Sequence, residues 1–289
     1  MIPMLTFSRH EEVLKLAKII ELTLGESPGE SMKLSWAWYK RKMAVIDYWK
    51  SSVTDPIEKS LQKADLFQMK DEELLQNFAS YHNGGIVLLT IHLGDYLHML
   101  LRLVRDMKPR NIVTIRRHWT VEDKIRFGKA EHFGHKIIPL INDAQSARTI
   151  VKELRKGALA ILLFDLPERW GSSAPVRIFS QDFSWVKGPI ELALLGKASL
   201  IPVFTFQQNE QWYCDLHAVR SYEAVGHFDQ DYCRSELQQC AEIAQYYIRN
   251  NVTQWENWHL VPEMFAANSH VRTNFPTLDS SPDEYKDRH

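Results

Sequence analysis

Between residues 86 and 206 short apolar runs alternate with amphipathic helical patterns, and this alternation restricts the fold more than any other feature of the 289-residue chain. The run at 86–91 is almost continuously apolar, as in a strand covered on both faces rather than one exposed to water. Helical spacing follows at 95–107, then strands and helices in turn at 111–115, 120–133, 136–140, 143–156 and 158–164. A helix at 187–196 and a strand at 199–206 continue the series, and a last strand at 212–219 precedes a long helix at 234–250. That period is the one of βαβ units, so the sequence predicts an α/β fold: a mostly parallel central sheet with helices on both faces. The length is sufficient for a sizeable core.

The first eighty residues read differently. Val13, Leu16, Ala17, Ile20 and Leu24 fall at helical spacing, and Gly25 closes that helix before a loop at 26–30. A second helical pattern covers 36–50, with Trp36, Trp38, Tyr39, Tyr48 and Trp49 beside Lys40, Arg41 and Lys42, and a third covers 57–80. The expected organisation is a helical N-terminal cap over 1–80, an α/β core over 81–265 and a flexible, acidic tail over 266–289.

Composition excludes several classes. Thirty-five Lys+Arg against thirty-six Asp+Glu leave a net charge of −1, which gives no global attraction to nucleic acid, and none is expected as a partner. Three cysteines are too few for a disulfide framework and suggest a reducing compartment. The stretch 76–94 lacks Asp, Glu, Lys and Arg, yet Asn77, Ser80, His82, Asn83 and Gly84-Gly85 disqualify it as a membrane span. Arg9, His10, Glu11 and Glu12 stand where a leader would need its apolar run, so a cytoplasmic location is expected.

Gly25-Glu26-Ser27-Pro28-Gly29 has the spelling of a nucleophile elbow, but a helix precedes it and Pro28 follows the serine, so it reads as a turn. The informative stretch is Thr90-Ile91-His92-Leu93-Gly94-Asp95-Tyr96-Leu97-His98, where a buried strand ends and a helix begins. Ligands of open α/β sheets bind outside the carboxyl ends of strands, which puts His92 where chemistry is expected. Asp95 is placed either to orient the His92 imidazole or to cap the helix, and His92 itself is either a general base or a structural histidine. His98 shares no common face with His92, and no metal site is expected.

A basic stretch follows. Arg102, Arg105, Lys108, Arg110, Arg116, Arg117, Lys124, Arg126 and Lys129 stand against Asp106, Glu122 and Asp123, so 9 − 3 gives +6. Arg116 and Arg117 follow a strand on the His92 edge and suit a phosphate or an acidic carrier protein. Asp165 and Glu168 lie at another strand end, where they either line a site or cap a turn. Lys187-Gly188 opens a helix whose free N–H groups suit an anion or oxyanion.

Taken together, His92-Leu93-Gly94, the segment 152–157 leading into Leu162-Leu163-Phe164-Asp165, Phe179 ahead of Lys187-Gly188-Pro189-Ile190-Glu191-Leu192-Ala193, and Gln254-Trp255-Glu256-Asn257-Trp258-His259 resemble the lipid A late acyltransferases. These are a branch of the lysophospholipid acyltransferase superfamily, and the resemblance covers about residues 84–263. It implies transfer of an acyl group from a carrier-protein or coenzyme A thioester to a lipid hydroxyl. No tightly bound cofactor is implied beyond the phosphopantetheine thioester of the donor. The partners implied are an acyl or peptidyl carrier protein and a lipid acceptor at the membrane surface.

That family has an acid five residues after its histidine, a position held here by Leu97, and Asp95 falls where the family has Asn. Both departures, and the lack of an N-terminal membrane helix, resemble the branch that moves a glycyl group onto lipid A. The expected roles are His92 as general base with Asp95 as its orienting or replacement acid. Arg116 and Arg117 would bind phosphate, Asp165 and Glu168 would line the site, and Lys187-Gly188 would hold the oxyanion. The aromatic N-terminal helices are expected to lie in the inner membrane interface or to cap the sheet. A soluble carrier-bound acceptor and a non-catalytic carrier or headgroup-binding module are the alternatives.

Overall fold

The computed structural model describes residues 4–71, 73 and 74, 84–222 and 229–265. The expected tail at 266–289, and the end of the third helical pattern at 75–80, lie outside the described residues.

The central sheet forms around apolar segments. Strands β2 (Ile86–Thr90), β3 (Asn111–Arg116), β4 (Lys136–Ile141), β5 (Leu159–Leu163) and the start of β8 (Ser199–Gln208) run parallel. Of these, β2, β5 and the start of β8 are buried on both faces, while the edge strand β4 is not. β9 (Gln211–Leu216) turns back antiparallel on β8, and β1 (Phe67–Lys70) joins β9 in parallel. The order is β1-β9-β8-β2-β5-β3-β4, with the short β10 (Arg220–Ser221) antiparallel to β8. The expected α/β class, a mostly parallel sheet with helices on both faces, is what the chain adopts.

Strand side chains alternate in direction, so each strand feeds two cores. Val87, Leu89, Ala160, Leu162 and Leu200 pack with helices α6 (Ala144–Leu154), α7 (Gly188–Gly196) and α8 (Gln230–Asn250) on one face. Ile86, Leu88, Leu159, Ile161 and Ile201 pack with α4 (Tyr96–Arg105) on the other. The path from β2 leads through α4 to β3, while the path from β5 leads through α7 to β8, on the opposite side of β2. The carboxyl ends of β2 and β5 therefore flank a point where the winding reverses, the usual crevice of open α/β sheets.

The N-terminal helices α1 (Met4–Leu24) and α2 (Pro28–Thr54) pack on each other and on the core, with Leu16, Ile19, Ile20 and Trp38 buried in the α7 face. Of the aromatic residues expected to meet a membrane, Trp38 is buried and Trp49 packs inward, while Trp36 is 38% exposed. α2 starts at Pro28, earlier than its hydrophobic pattern, because the Ser27 hydroxyl caps it by accepting from the Glu30 N–H.

Three further differences have physical causes. The third helix, α3 (Ile57–Ala64), stops short, and residues 67–70 form β1, a strand too brief for its alternation to stand out in a polar segment. The N-terminal region therefore contributes an edge strand to the sheet as well as helices. A hairpin of β6 (Ser173–Ile178) and β7 (Gln181–Val186) fills the interval between β5 and α7. Its turn residues Phe179 and Ser180 both have positive φ (51° and 61°), a conformation usually flagged by Gly or Asn, so the turn carried no sequence signal. Helix α5 (Val121–Gly128) ends earlier than expected and continues as a 3-10 turn over Lys129–Phe133.

Candidate active site

His92 stands two residues beyond Thr90, and Asp165 two beyond Leu163, its register partner on β5. Parallel pairing therefore brings the two side chains to the same level of the sheet edge. His92 Nδ1 lies 2.9 Å from Asp165 Oδ1, and the His92 main-chain N–H donates to Oδ2 at 2.9 Å. Asp165 is fully buried, and Oδ2 also accepts from Trp255 Nε1–H at 2.8 Å and Asn257 Nδ2 at 3.1 Å. Asn257 Nδ2 also donates to the Asp165 carbonyl and sits 2.9 Å from His92 Nδ1. With the carboxylate against it, Nδ1 carries the proton, and the lone pair is left on Nε2. No described residue bonds Nε2, and the imidazole side chain keeps 19% of its surface exposed, which leaves that lone pair for a ligand.

The segment after α8 locks this arrangement. Gly94 N–H donates to the Gln254 carbonyl, Glu256 N–H to the His92 carbonyl, and Leu93 bridges to Trp255. Gly94 has φ +63°, and a Cβ there would meet the Thr205 carbonyl oxygen at 2.6 Å, so only glycine fits between the two segments. Thr205 Oγ1–H donates to the Leu93 carbonyl at 2.7 Å. Trp38 Nε1–H donates to the Trp255 carbonyl at 2.7 Å, which ties the N-terminal helices to the same segment.

The electrostatics centre on His92. Burial pulls its pKa down, but the Asp165 charge and hydrogen bond, with the charge of Glu256, outweigh burial and leave it above the ordinary imidazole value. Burial pushes Glu256 up to about 7, against the pull of His92. Burial likewise raises the Tyr96 phenol, although Arg116 beside it works the other way. The Tyr96 ring meets the His92 ring edge-on at 5.9 Å.

The expected site residues separate into those the fold gathers and those it does not. His92 and Asp165 are paired directly, and Arg116 ends β3 with its charge felt at both His92 and Tyr96. The expectation that Asp95 orients His92 is corrected. Its carboxylate caps α4, accepting from the His98 N–H at 3.1 Å and lying 3.1 Å from His98 Nδ1. A helix start turns the side chain at this position back onto its own first turn, away from the strand end. Burial raises Asp95 to about 7.

Arg117 is exposed, in the bend that follows the end of β3. Glu168 is exposed in a 3-10 turn at Glu168–Trp170 rather than lining the crevice. Lys187 precedes α7 and pairs with Glu191 at 2.7 Å, and Gly188 is the first residue of that helix. Nothing among the described residues bonds Lys187 or Gly188 to His92. No group of three His, Cys, Asp or Glu side chains is placed to hold a metal ion among the described residues.

Sequence reasoning missed Trp255, Glu256, Asn257, Tyr96 and Arg41 as site residues. The dense Gln254-Trp255-Glu256-Asn257-Trp258-His259 string was the signal for the first three, while Tyr96 lies in the stretch around His92 and Arg41 among the aromatics of the second helix. A cavity of about 160 Å³ lies between Arg41, Trp49, Asp95, Tyr96, Gln207 and Trp212, and Tyr96 links it to the His92 ring. Arg41 donates to Gln207 Oε1 at 3.3 Å and lies 5.5 Å from the centre of the Trp212 ring. Cys214, Cys233 and Cys240 are buried, and burial raises all three thiols.

No protein-family model matches the chain, and neither does any curated protein.

Proposed function

We propose that the chain is an acyltransferase that moves an acyl or aminoacyl group from a phosphopantetheine thioester on a carrier protein, or from coenzyme A, to a hydroxyl of a lipid A-type acceptor. One observation carries this reading: His92 bears an open Nε2 while the buried Asp165 carboxylate holds its Nδ1. Such an imidazole can take a proton from an acceptor hydroxyl as that oxygen attacks a thioester carbonyl.

The acceptor oxygen forms a bond to the carbonyl carbon, its proton passes to Nε2, and Asp165 steadies the resulting imidazolium. Collapse of the tetrahedral oxyanion breaks the carbon–sulfur bond, and the imidazolium returns the proton to the departing thiolate. Ester and free thiol are the products. Neither serine nor cysteine bonds to His92 among the described residues, which favours direct transfer over a covalent acyl-enzyme. Arg116, at the end of β3, would meet the donor or acceptor phosphate. Asp165 takes the orienting role that the resembling family gives to an acid five residues after its histidine, so Leu97 at that position is no obstacle. The work of such an enzyme on lipid places it on the inner face of the cytoplasmic membrane as a peripheral protein. No helix among the described residues is long and apolar enough to span the bilayer.

The test is incubation of the purified protein with acyl- and glycyl-loaded carrier protein and a lipid A acceptor, with thiol release and product mass followed together. The reading expects a mass increment on the lipid that His92→Ala abolishes. Equal product from His92→Ala, or no transfer from any donor, would overturn it, and transfer only to a soluble hydroxyl would replace the lipid acceptor.

A further inference from the structure

Arg116 and Ile141 are register partners at the ends of β3 and β4, on the same sheet edge as His92. Large aliphatic side chains stand exposed around them. Val121 is 67% exposed, Ile125 42% and Ile141 52%, although each is a large aliphatic side chain. Val121 and Ile125 stand one turn apart on α5 and share a face. Trp119 Nε1–H donates to the Leu140 carbonyl at 2.9 Å, and the Asn142 N–H donates to the Arg116 carbonyl, so the segment leading into α5 is fastened to the end of β4. Arg117, His118 and Lys124 are exposed beside these aliphatics. Two of the three neighbouring acids are engaged locally: Asp123 completes the capping box of α5 and pairs with Arg126, and Asp143 caps α6 through the Ser146 N–H, while Glu122 stands in the first turn of α5.

We propose that this tip, Val121, Ile125 and Ile141 with Arg117, His118 and Lys124, seats the protein on an anionic lipid bilayer. Aliphatic side chains that stand out of a surface enter the acyl boundary, while adjacent bases pair with anionic headgroups, and each contribution strengthens the other. None of the three aliphatics lines the cavity between Arg41 and Trp212. A fluid lipid layer accepts projecting side chains without a matching pocket, as a folded carrier protein would not. The surface differs from the aromatic N-terminal helices, whose Trp38 and Trp49 are turned inward. Its place on the His92 edge would hold a headgroup hydroxyl near the dyad. That last step rests on the acyltransfer reading, whereas the surface itself does not.

The experiment is co-sedimentation of the full chain with vesicles of phosphatidylglycerol and phosphatidylcholine, against phosphatidylcholine alone, at rising salt. Binding to the anionic vesicles only, released by salt, is expected. Lys124→Glu should weaken it by about five- to thirtyfold, since one base near such a surface contributes about fivefold and reversal adds repulsion. The double variant Val121→Ser/Ile125→Ser should weaken it by about tenfold or more while keeping the wild-type melting curve. Thioester cleavage with a water-soluble acceptor should be unchanged in both. Vesicle binding that is absent in the wild type, indifferent to salt, or equal in all variants would overturn the assignment. Intact vesicle binding with impaired use of a loaded carrier protein would overturn it too, and would give the tip to the carrier. A protein that binds as expected but transfers nothing refutes the acyltransfer reading and leaves the surface standing.

Discussion

The Nδ1 of His92 meets the Oδ1 of Asp165 at 2.9 Å across 73 positions of sequence. The contact exists because β2 and β5 are parallel neighbours in register, and each residue stands two places beyond its paired strand end. Three other donors converge on the same carboxylate, from the His92 main chain, Trp255 and Asn257. A carboxylate held so firmly fixes both the tautomer and the direction of the ring.

Asp165→Asn should therefore preserve the shape of the site and lose its chemistry. The amide presents an N–H in place of an acceptor, so the ring loses the carboxylate that keeps the proton on Nδ1, and kcat should fall by about 10³–10⁴. Thioester turnover measures the loss, and the nitrogen shifts of His92 in NMR report the tautomer. Wild-type turnover in a folded Asp165→Asn protein would show that the dyad is structural.

Glu256→Gln tests the charge around the base. Glu256 raises the His92 pKa, so its neutral replacement should lower that pKa, and the low-pH limb of kcat/KM should move to lower pH. The sign for stability follows from the same shift. A histidine held above its unfolded value stabilises the fold when protonated, fully below the unfolded value of about 6.5, and the contribution is lost as pH rises through the folded value. A pH titration of the His92 ring resonances checks the direction, and an unmoved or raised value would contradict it.

Much of the fold was legible because apolar runs such as 86–91 and 158–164 are physically committed to a two-sided core. The same grammar placed His92 and Asp165 at strand ends without saying that β2 and β5 are neighbours. That is a property of strand order, which local periodicity does not encode. Asp95 was the nearer acid in sequence and so the easier partner to assign, yet its main-chain position commits it to the α4 cap. Asn257 and Trp255 lie about 165 residues from His92 and were visible only as an unusually polar aromatic string. The hairpin at β6 and β7 was hidden because its turn uses Phe179 and Ser180 instead of Gly or Asn.

Gly94→Ala should disturb the site by a purely steric route. The new methyl would stand 2.6 Å from the Thr205 carbonyl oxygen, at a φ of +63° that L-residues adopt at a cost of about 1–2 kcal/mol. Thr205 also bonds the Leu93 carbonyl, so relief of the clash shifts the chain beside His92. A melting temperature lower by about 2–8 °C is expected, with a loss of turnover larger than the loss of folded protein. An Ala variant with unchanged melting would mean that the two segments separate freely.

Asp95→Asn distinguishes a capping acid from a catalytic one. Burial raises the Asp95 carboxyl from 3.8 to about 7, which corresponds to about 4 kcal/mol between its charged and neutral forms. The folded state thus holds a proton that the unfolded chain releases, and this costs stability progressively as pH rises from about 4 to about 7. Asparagine retains an acceptor for the His98 N–H, so the α4 cap survives while the titration disappears. The variant should match the wild type near pH 4 and exceed it above pH 7, by up to about 4 kcal/mol in denaturant unfolding. Glu256 keeps a similar dependence in both proteins, so the variant's curve should flatten without becoming level. Turnover should persist, since Asp95 bonds His98 and not His92. A collapse of turnover with the stability gain intact would return Asp95 to the chemistry, and parallel stability curves would show that its carboxyl is solvated in the folded protein.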